Sequence, residues 1–299
     1  MIPGSRAPGV VQLVSYGRDP LGFLADRQRR YGDVFTIRFP YFGRIVYVAA
    51  PDLVKALFTA DPAVFHAGEA NATVLEPALG PNSVLTLDDG PHLRQRKLLL
   101  PPFHGEAIEG YARMIAEATE RESDRWPLNE PLALAPRMQA ITLDVIMAGI
   151  FGIEGKPEPG SPEAGLRRTV KRLVASSTRP EAQLTELIHI GREEAIGPMR
   201  LGLAMLDRPT YAVIRERRRA ADLEQRRDIL SLLLQARTEE GEALSDKELR
   251  DELLTLVLAG HETTANSLSW AWERLVRNPA AHEALTAAVR GGEGAEERV

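Results

Sequence analysis

Apolar and polar positions divide the chain into a short β-rich region near its start and a long helical remainder. Val34–Phe39 and residues 44–49 are rich in β-branched and aromatic side chains, and the four residues between these runs fit a hairpin. From about residue 90 onward the pattern favours helices almost throughout. The sequence therefore predicts a fold that is mainly α, with a small β-sheet near the N-terminus.

Local signals set most of the predicted helix boundaries. Asp19 and Pro20 have the residue types of an N-cap and a first helical turn, for a helix ending near Tyr31. Further helices are predicted at residues 51–58, 91–100, 107–126, 136–151, 162–176, 181–189, 209–221, 228–237, 245–278 and 279–290. Residues 152–165 read as a surface loop, residues 200–208 are ambiguous, and residues 291–299 read as a disordered tail. A single domain, 1–299, is the simplest organisation.

The longest predicted helix has clear signals at both ends. Ser245 followed by Glu248 is a capping box, and Pro279 restricts the residue before it to non-helical geometry. More than 30 residues lie between these signals, which corresponds to about 50 Å of helix. A helix of this length should cross the whole core.

Composition excludes several classes of protein. A formal net charge of −5 over 299 residues gives no reason to expect nucleic acid as a partner. No run of about 18 apolar residues indicates a transmembrane anchor, and the first residues lack the apolar core of a signal peptide, so we expect a cytoplasmic protein. The sequence contains no cysteine, which excludes disulfides and cysteine-ligated metal within these residues.

Residues 259–264, with the sequence AGHETT, break several rules in the middle of the long helix. A helical glycine costs about 1 kcal/mol relative to alanine, and a buried, unpaired carboxylate costs more. Gly260 and Ala259 would let a bulky group approach the backbone, and Thr263 could bond the preceding-turn carbonyl or release its hydroxyl toward a ligand. Glu262 beside Thr263 could relay protons to a bound reactant. The alternative is a packing glycine with a glutamate that reaches solvent.

The same segment does not complete a zinc-protease motif. His261 and Glu262 would begin an H-E-x-x-H motif, but Ala265 occupies the position of the second histidine. No metal site is therefore predicted, and His261 should be an exposed or structural histidine.

A basic cluster lies on a helix that opens at residues 89–91. His92 and Arg96 are four residues apart, so they share one helix face and could hold a carboxylate or phosphate. The alternative is a solvated basic face, to which Arg94 and Lys97 belong in either case.

Together the two segments resemble the cytochrome P450 family, specifically its soluble bacterial type. The run at 259–264 matches the family's central-helix pattern (A/G)-G-x-(D/E)-T-(T/S), and His92 with Arg96 matches the H-x-x-x-R whose side chains bind the haem propionates. Supporting matches lie at residues 30–34, 101–105 and 228–233. The resemblance runs from about residue 20 to 285 and implies an incomplete cytochrome P450 fold with a long central helix.

The resemblance also implies an activity. A haem monooxygenase would insert one atom of O2 into a small, lipophilic organic substrate, using electrons from a ferredoxin- or flavodoxin-type redox partner. Ala259 and Gly260 would lie against the haem and leave room for dioxygen. Glu262 and Thr263 would deliver the protons for O–O cleavage.

Two features depart from the family pattern. The family holds its iron through a cysteine thiolate, which follows an E-x-x-R helix downstream of the central helix, and neither is found here. The E-x-x-R matches that do occur lie upstream, at Glu122/Arg125, Glu216/Arg219 and Glu224/Arg227. We therefore expect an incomplete copy of a P450, arising as a fragment, a frameshifted product or an early stop. The alternative is a catalytically dead fragment or a haem-free helical binding or regulatory protein.

Overall fold

The structure is a computed structural model that describes residues 2–40, 42–103, 106–177 and 189–291. Within these residues the chain is mainly helical, as the sequence predicts, with one two-stranded sheet. The strands are β1 (Val34–Phe39) and β2 (Gly43–Val48). The helices are α1 (Gly9–Arg18), α2 (Pro20–Tyr31), α3 (Pro51–Phe58), α4 (Ala67–Leu79), α5 (Asp89–Leu99), α6 (Glu106–Ser123), α7 (Leu134–Phe151), α8 (Pro162–Ser177), α9 (Gly197–Arg218), α10 (Ile229–Gln235), α11 (Asp246–Arg277) and α12 (Pro279–Arg290).

The chain divides into two compact units. The first comprises Met1–Arg96 with Ser176–Ala204, and the second Lys97–Ala175 with Met205–Val299. The organisation as a single domain stays a prediction. The predicted helix at 181–189 and the predicted tail at 291–299 fall, apart from His189 and Gly291, outside the described residues.

The small sheet of the first unit is an antiparallel hairpin that packs on α2. Its register pairs Val34 with Val48 and ends at Phe39 opposite Gly43. Alternate side chains of β1 point inward, so Phe35 and Ile37 are buried together with Phe23 of α2. The alternation of side chains along β1 thus builds a local hydrophobic core.

Two helices of the first unit have no local signal that would predict them. α1 begins at Gly9 and has no side-chain cap. The amide groups at the start of α4 are capped from a distance, because the Asp88 carboxylate accepts hydrogen bonds from Gly68 N (2.8 Å) and Glu69 N (2.7 Å). A cap supplied 20 residues downstream cannot be recognised in the local sequence around α4.

The start of α9 was predicted incorrectly. Pro209 reads as a first-turn proline, but the helix begins at Gly197 and Pro209 lies inside it. The ambiguous residues 200–208 are helical. A Cβ built at Gly165 of α8 would lie 3.5 Å from Pro209 Cβ, which is ordinary contact, so α8 lies beside the internal proline.

The centre of the second unit is formed by α7 and α11. α7 is half buried along its length and packs against α6, α10 and α11. In the described part of the chain it is also the one helix long and apolar enough to cross a membrane, but its packing is that of a core helix.

The long central helix matches its prediction closely. The Ser245 hydroxyl accepts from Glu248 N at 3.2 Å, and the Glu248 carboxylate accepts from Ser245 N at 2.8 Å, which completes the capping box. The helix runs for 32 residues and ends at Arg277, next to Asn278 and Pro279. Its first half is largely buried, and most side chains beyond residue 262 are exposed.

Candidate functional site

The segment 259–264 lies near the middle of α11 and presents two different faces. Gly260 and His261 face α7, whereas Ala259 and Thr263, one turn apart, lie on an exposed stripe of the helix. The helix thus separates its packing residues from a pair of small residues that a ligand could reach.

Gly260 is a packing glycine in this structure. A Cβ built on it would lie 2.6 Å from Ile146 Cδ1 of α7, which is closer than side chains approach one another. The missing side chain therefore lets α7 and α11 come together, as the alternative interpretation of the sequence proposed. A place for Gly260 beside bound dioxygen stays a prediction.

His261 is a structural residue and is buried, so the exposed alternative is wrong. Its imidazole is 1% exposed, and Nε2 lies 3.1 Å from the backbone carbonyl oxygen of Gln139 in α7. Because a carbonyl can only accept, Nε2 carries the proton in the neutral ring. Nδ1 has no hydrogen-bond partner among the described residues. This directed bond links α11 to α7 in the core.

Burial makes the protonation of His261 unfavourable in the folded state. Desolvation lowers the pKa of His261 below its usual value, and this outweighs the opposing effects of the Gln139 carbonyl and the Glu262 charge. The unfolded chain therefore binds this proton more readily than the folded chain. The stability that neutral His261 contributes is present above pH ~6.5 and is lost as the pH falls below that value.

We expect His261→Gln to flatten the pH dependence of stability. Between pH 7.5 and 5.5 the free energy of unfolding should fall more steeply for the wild-type chain than for this variant, measured by urea denaturation. The matched control is His282→Gln, because His282 is exposed on α12. Equal slopes for the wild type and the His261 variant would contradict the assignment.

Glu262 and Thr263 are accessible from the exposed stripe. The Thr263 hydroxyl donates to the backbone carbonyl of Ala259 one turn earlier. Glu262 is half exposed and has no hydrogen bond or ion pair with another residue in the described ranges. The hydroxyl needs only a side-chain rotation to leave the helix carbonyl, so the pair can exchange protons with a ligand or with water.

His92 and Arg96 lie on one face of α5, as the spacing predicts. His92 is half exposed and Arg96 is exposed, and neither side chain forms an ion pair within the described residues. By contrast, Lys97 Nζ lies 3.3 Å from Glu239 Oε1. Two neighbouring cationic or potentially cationic groups without a protein partner can bind an anion.

The structure offers no cluster for a metal ion among the described side chains. Groups of three or more histidine, aspartate or glutamate side chains in ligating positions do not occur there. Ala265, which stands where a zinc-protease motif needs its second histidine, is buried against Met138 and Ile141 of α7. It serves the same helix contact as Gly260 and His261.

A buried ion pair is a polar feature that the sequence did not single out. Arg217 of α9 is 4% exposed and donates to Asp228 (2.6 Å), to the Ser231 hydroxyl (2.8 Å) and to the Phe151 carbonyl (2.7 Å). Asp228 is also the N-cap of α10. The sequence predicted only a helix beginning at Asp228, because Arg217 lies 11 residues upstream in a run of similar charged residues.

Comparison with known proteins identifies the family. The cytochrome P450 family model matches residues 2–297. A putative cytochrome P450 135B1 of Mycobacterium tuberculosis is 40% identical over 281 residues, which cover 93% of this chain and 57% of that protein. A putative cytochrome P450 138 of the same species is 36% identical over 304 residues, with 98% and 67% covered. This chain therefore belongs to the cytochrome P450 family.

Solved structures show the same fold. The retinoic acid-bound cyanobacterial CYP120A1 superposes with a TM-score of 0.75 at 22% identity, covering 99% of this chain and 65% of that one. The haem domain of cytochrome P450DA gives a TM-score of 0.69 at 23% identity, covering 96% and 63%. The chain spans between just over half and two thirds of the length of these relatives.

Proposed function

We propose that the chain carries the oxygen-side half of a haem monooxygenase site on α11. The observation that carries this proposal is the separation of faces on that helix. Gly260 and His261 are held against α7, while Ala259 and Thr263 remain exposed one turn apart with Glu262 beside them. Membership of the family supports haem-dependent oxygen insertion as the reaction class.

The exposed stripe could accommodate a flat porphyrin with a small gaseous ligand. Ala259 contributes a single methyl group, so a planar group can approach the helix there. Thr263 supplies a hydroxyl one turn from Ala259 on the same stripe. Its hydrogen bond to the Ala259 carbonyl orients this hydroxyl until a ligand accepts the bond instead. Bound haem would supply the dioxygen chemistry at this surface.

The positions of Glu262 and Thr263 support a role for both in proton delivery. Thr263 would donate its hydroxyl proton toward the ligand side of the helix, and the Glu262 carboxylate would bring protons from solvent to that hydroxyl. His92 and Arg96 on α5 are proposed to bind the haem propionates, because neither side chain forms an ion pair with another described residue. None of these roles requires a change in the helix that carries the residue.

The iron ligand is the part of the site that these residues do not provide. In the family a cysteine thiolate holds the iron, and none of the 299 residues is a cysteine. A thiolate must therefore come from outside these residues. The proposed partners are O2, a small lipophilic substrate and a ferredoxin- or flavodoxin-type electron donor, and the proposed location is the cytoplasm.

The proton-delivery role can be tested in a fused protein. We would join this chain to the segment of mycobacterial P450 135B1 that follows the matched region, and supply electrons through a surrogate ferredoxin. Thr263→Ala should lower the oxygenated product formed per electron donor consumed at least tenfold, because general acid catalysis typically contributes 10²–10⁴-fold and water replaces part of it. Product would be measured by mass spectrometry over a panel of lipophilic compounds.

The neighbouring threonine provides a matched control for this experiment. Thr264 is also exposed on α11 but points about 100° away around the helix. Thr264→Ala should therefore leave the ratio of product to donor unchanged. Equal losses in the two variants would show that Thr263 has no special role in proton delivery.

A further inference from the structure

A cavity lies in the second unit and does not include the exposed stripe of α11. It has a volume of about 700 Å³ and is bounded by α6, α7, α10 and the residues that follow α7. None of its lining residues belongs to α5 or α11. Its volume lies within the range of pockets that hold drug-sized ligands, about 300–1,000 Å³.

Two helical glycines lie at the wall of this cavity, and neither is explained by packing. A Cβ built on Gly149 of α7 would lie 3.8 Å from Met114, which is ordinary contact, and one built on Gly110 of α6 would meet nothing within 4 Å. Neither glycine has a positive φ. Alanine would be the better helix former at both positions, so the space that these glycines leave open is their distinguishing property.

The remainder of the wall is mainly apolar, with a polar rim. Met114, Ala148 and Leu232 provide apolar surface, and the Tyr111 hydroxyl, which donates to the Pro102 carbonyl at 3.1 Å, can still accept a hydrogen bond. A few polar groups around an apolar wall are the usual composition of a small-molecule site.

The charges at the cavity favour an anionic ligand. Buried Asp228 is neutralised by Arg217, and Arg226 pairs with Asp222 at 3.0 Å. Among the described residues, Arg227 donates only to the neutral carbonyls of Glu224 and Arg226.

No carboxylate within the described residues forms an ion pair with the Arg227 guanidinium. Glu154, the other acidic residue at the rim, is exposed, as Arg227 is, and the two form no ion pair, so Glu154 does not neutralise the guanidinium. The charge that remains available to a ligand is therefore the positive one on Arg227.

We propose that this cavity is a binding site for a small aromatic or alicyclic carboxylate. The apolar body of the ligand packs between α6 and α7 over Gly149 and Gly110, and its carboxylate pairs with Arg227. The site is independent of haem, since no group of the α11 stripe contributes to it.

The test uses the purified full chain with three naphthalene probes of equal size. Calorimetric titration should give at least tenfold tighter binding for naphthalene-2-carboxylate than for naphthalene-2-methanol, with 2-(aminomethyl)naphthalene binding most weakly. Arg227→Gln should abolish the preference for the carboxylate over the alcohol. Equal affinities for the three probes in the wild type would overturn the proposal.

Filling the cavity with a larger side chain should weaken the binding of charged and neutral probes alike. Gly149→Leu should lower the affinity for both the carboxylate and the alcohol probe at least tenfold. Gly202→Leu in α9, which also has open space around its Cα, should leave both affinities unchanged. If circular dichroism shows that the Gly149 variant is unfolded, Gly110→Leu replaces it. Binding that survives the substitution in a folded variant would contradict the assignment of this cavity.

Discussion

Replacing Arg217 with alanine should lower the free energy of unfolding by about 3–5 kcal/mol, because it removes one partner of a buried ion pair. The Asp228 carboxylate, which is 6% exposed, would then lie in the core without its counter-charge. The carbonyl of Phe151 at the end of α7 would lose its hydrogen-bond donor as well. A single substitution therefore weakens the junction of α7, α9 and α10.

The adjacent residue provides the control for this prediction. Arg218 pairs with Asp246, and both side chains are 41% exposed. Since exposed ion pairs typically contribute between 0 and about 1 kcal/mol, Arg218→Ala should cost less than 1 kcal/mol. Equilibrium urea denaturation of both variants measures the difference, and similar losses for the two would show that the Arg217 network does not stabilise the fold as described.

Elements bounded by local side-chain chemistry could be predicted from the sequence. β1, α2, α3 and α12 begin and end at the predicted residues to within one position, and the capping box placed α11 correctly. In each case a proline, an N-cap or a change of pattern lies at the boundary itself. Such signals act over one turn of chain, so they are visible without knowledge of the fold.

Features that depend on distant contacts could not be predicted. The start of α4 is capped by Asp88 from the other side of a loop, and Pro209 is accommodated in the interior of α9. The candidate site likewise combines a feature with a local signal and a contact between distant residues. Its position in the middle of α11 follows from the sequence, but the contact between Gly260 and Ile146 joins residues more than 100 positions apart.

The proposed haem site on α11 predicts a specific effect of a large side chain. Ala259 lies on the exposed stripe, so a large side chain at this position would occupy the surface that we propose for haem. In the fused protein, Ala259→Trp should reduce the haem content at least tenfold, because filling a tightly matched surface removes the ligand's contacts. Ala271→Trp, at another exposed position of the same helix, should leave the haem content unchanged.

The absorbance spectrum of the reduced, carbon monoxide-treated protein tests the central claim most directly. The 299-residue chain alone should show no thiolate-type Soret band, because it has no cysteine to ligate iron. The fused protein should show that band, and Ala259→Trp should remove it while Ala271→Trp retains it. A thiolate-type band from the chain alone, or a folded fused protein whose band is unaffected by Ala259→Trp, would contradict the account.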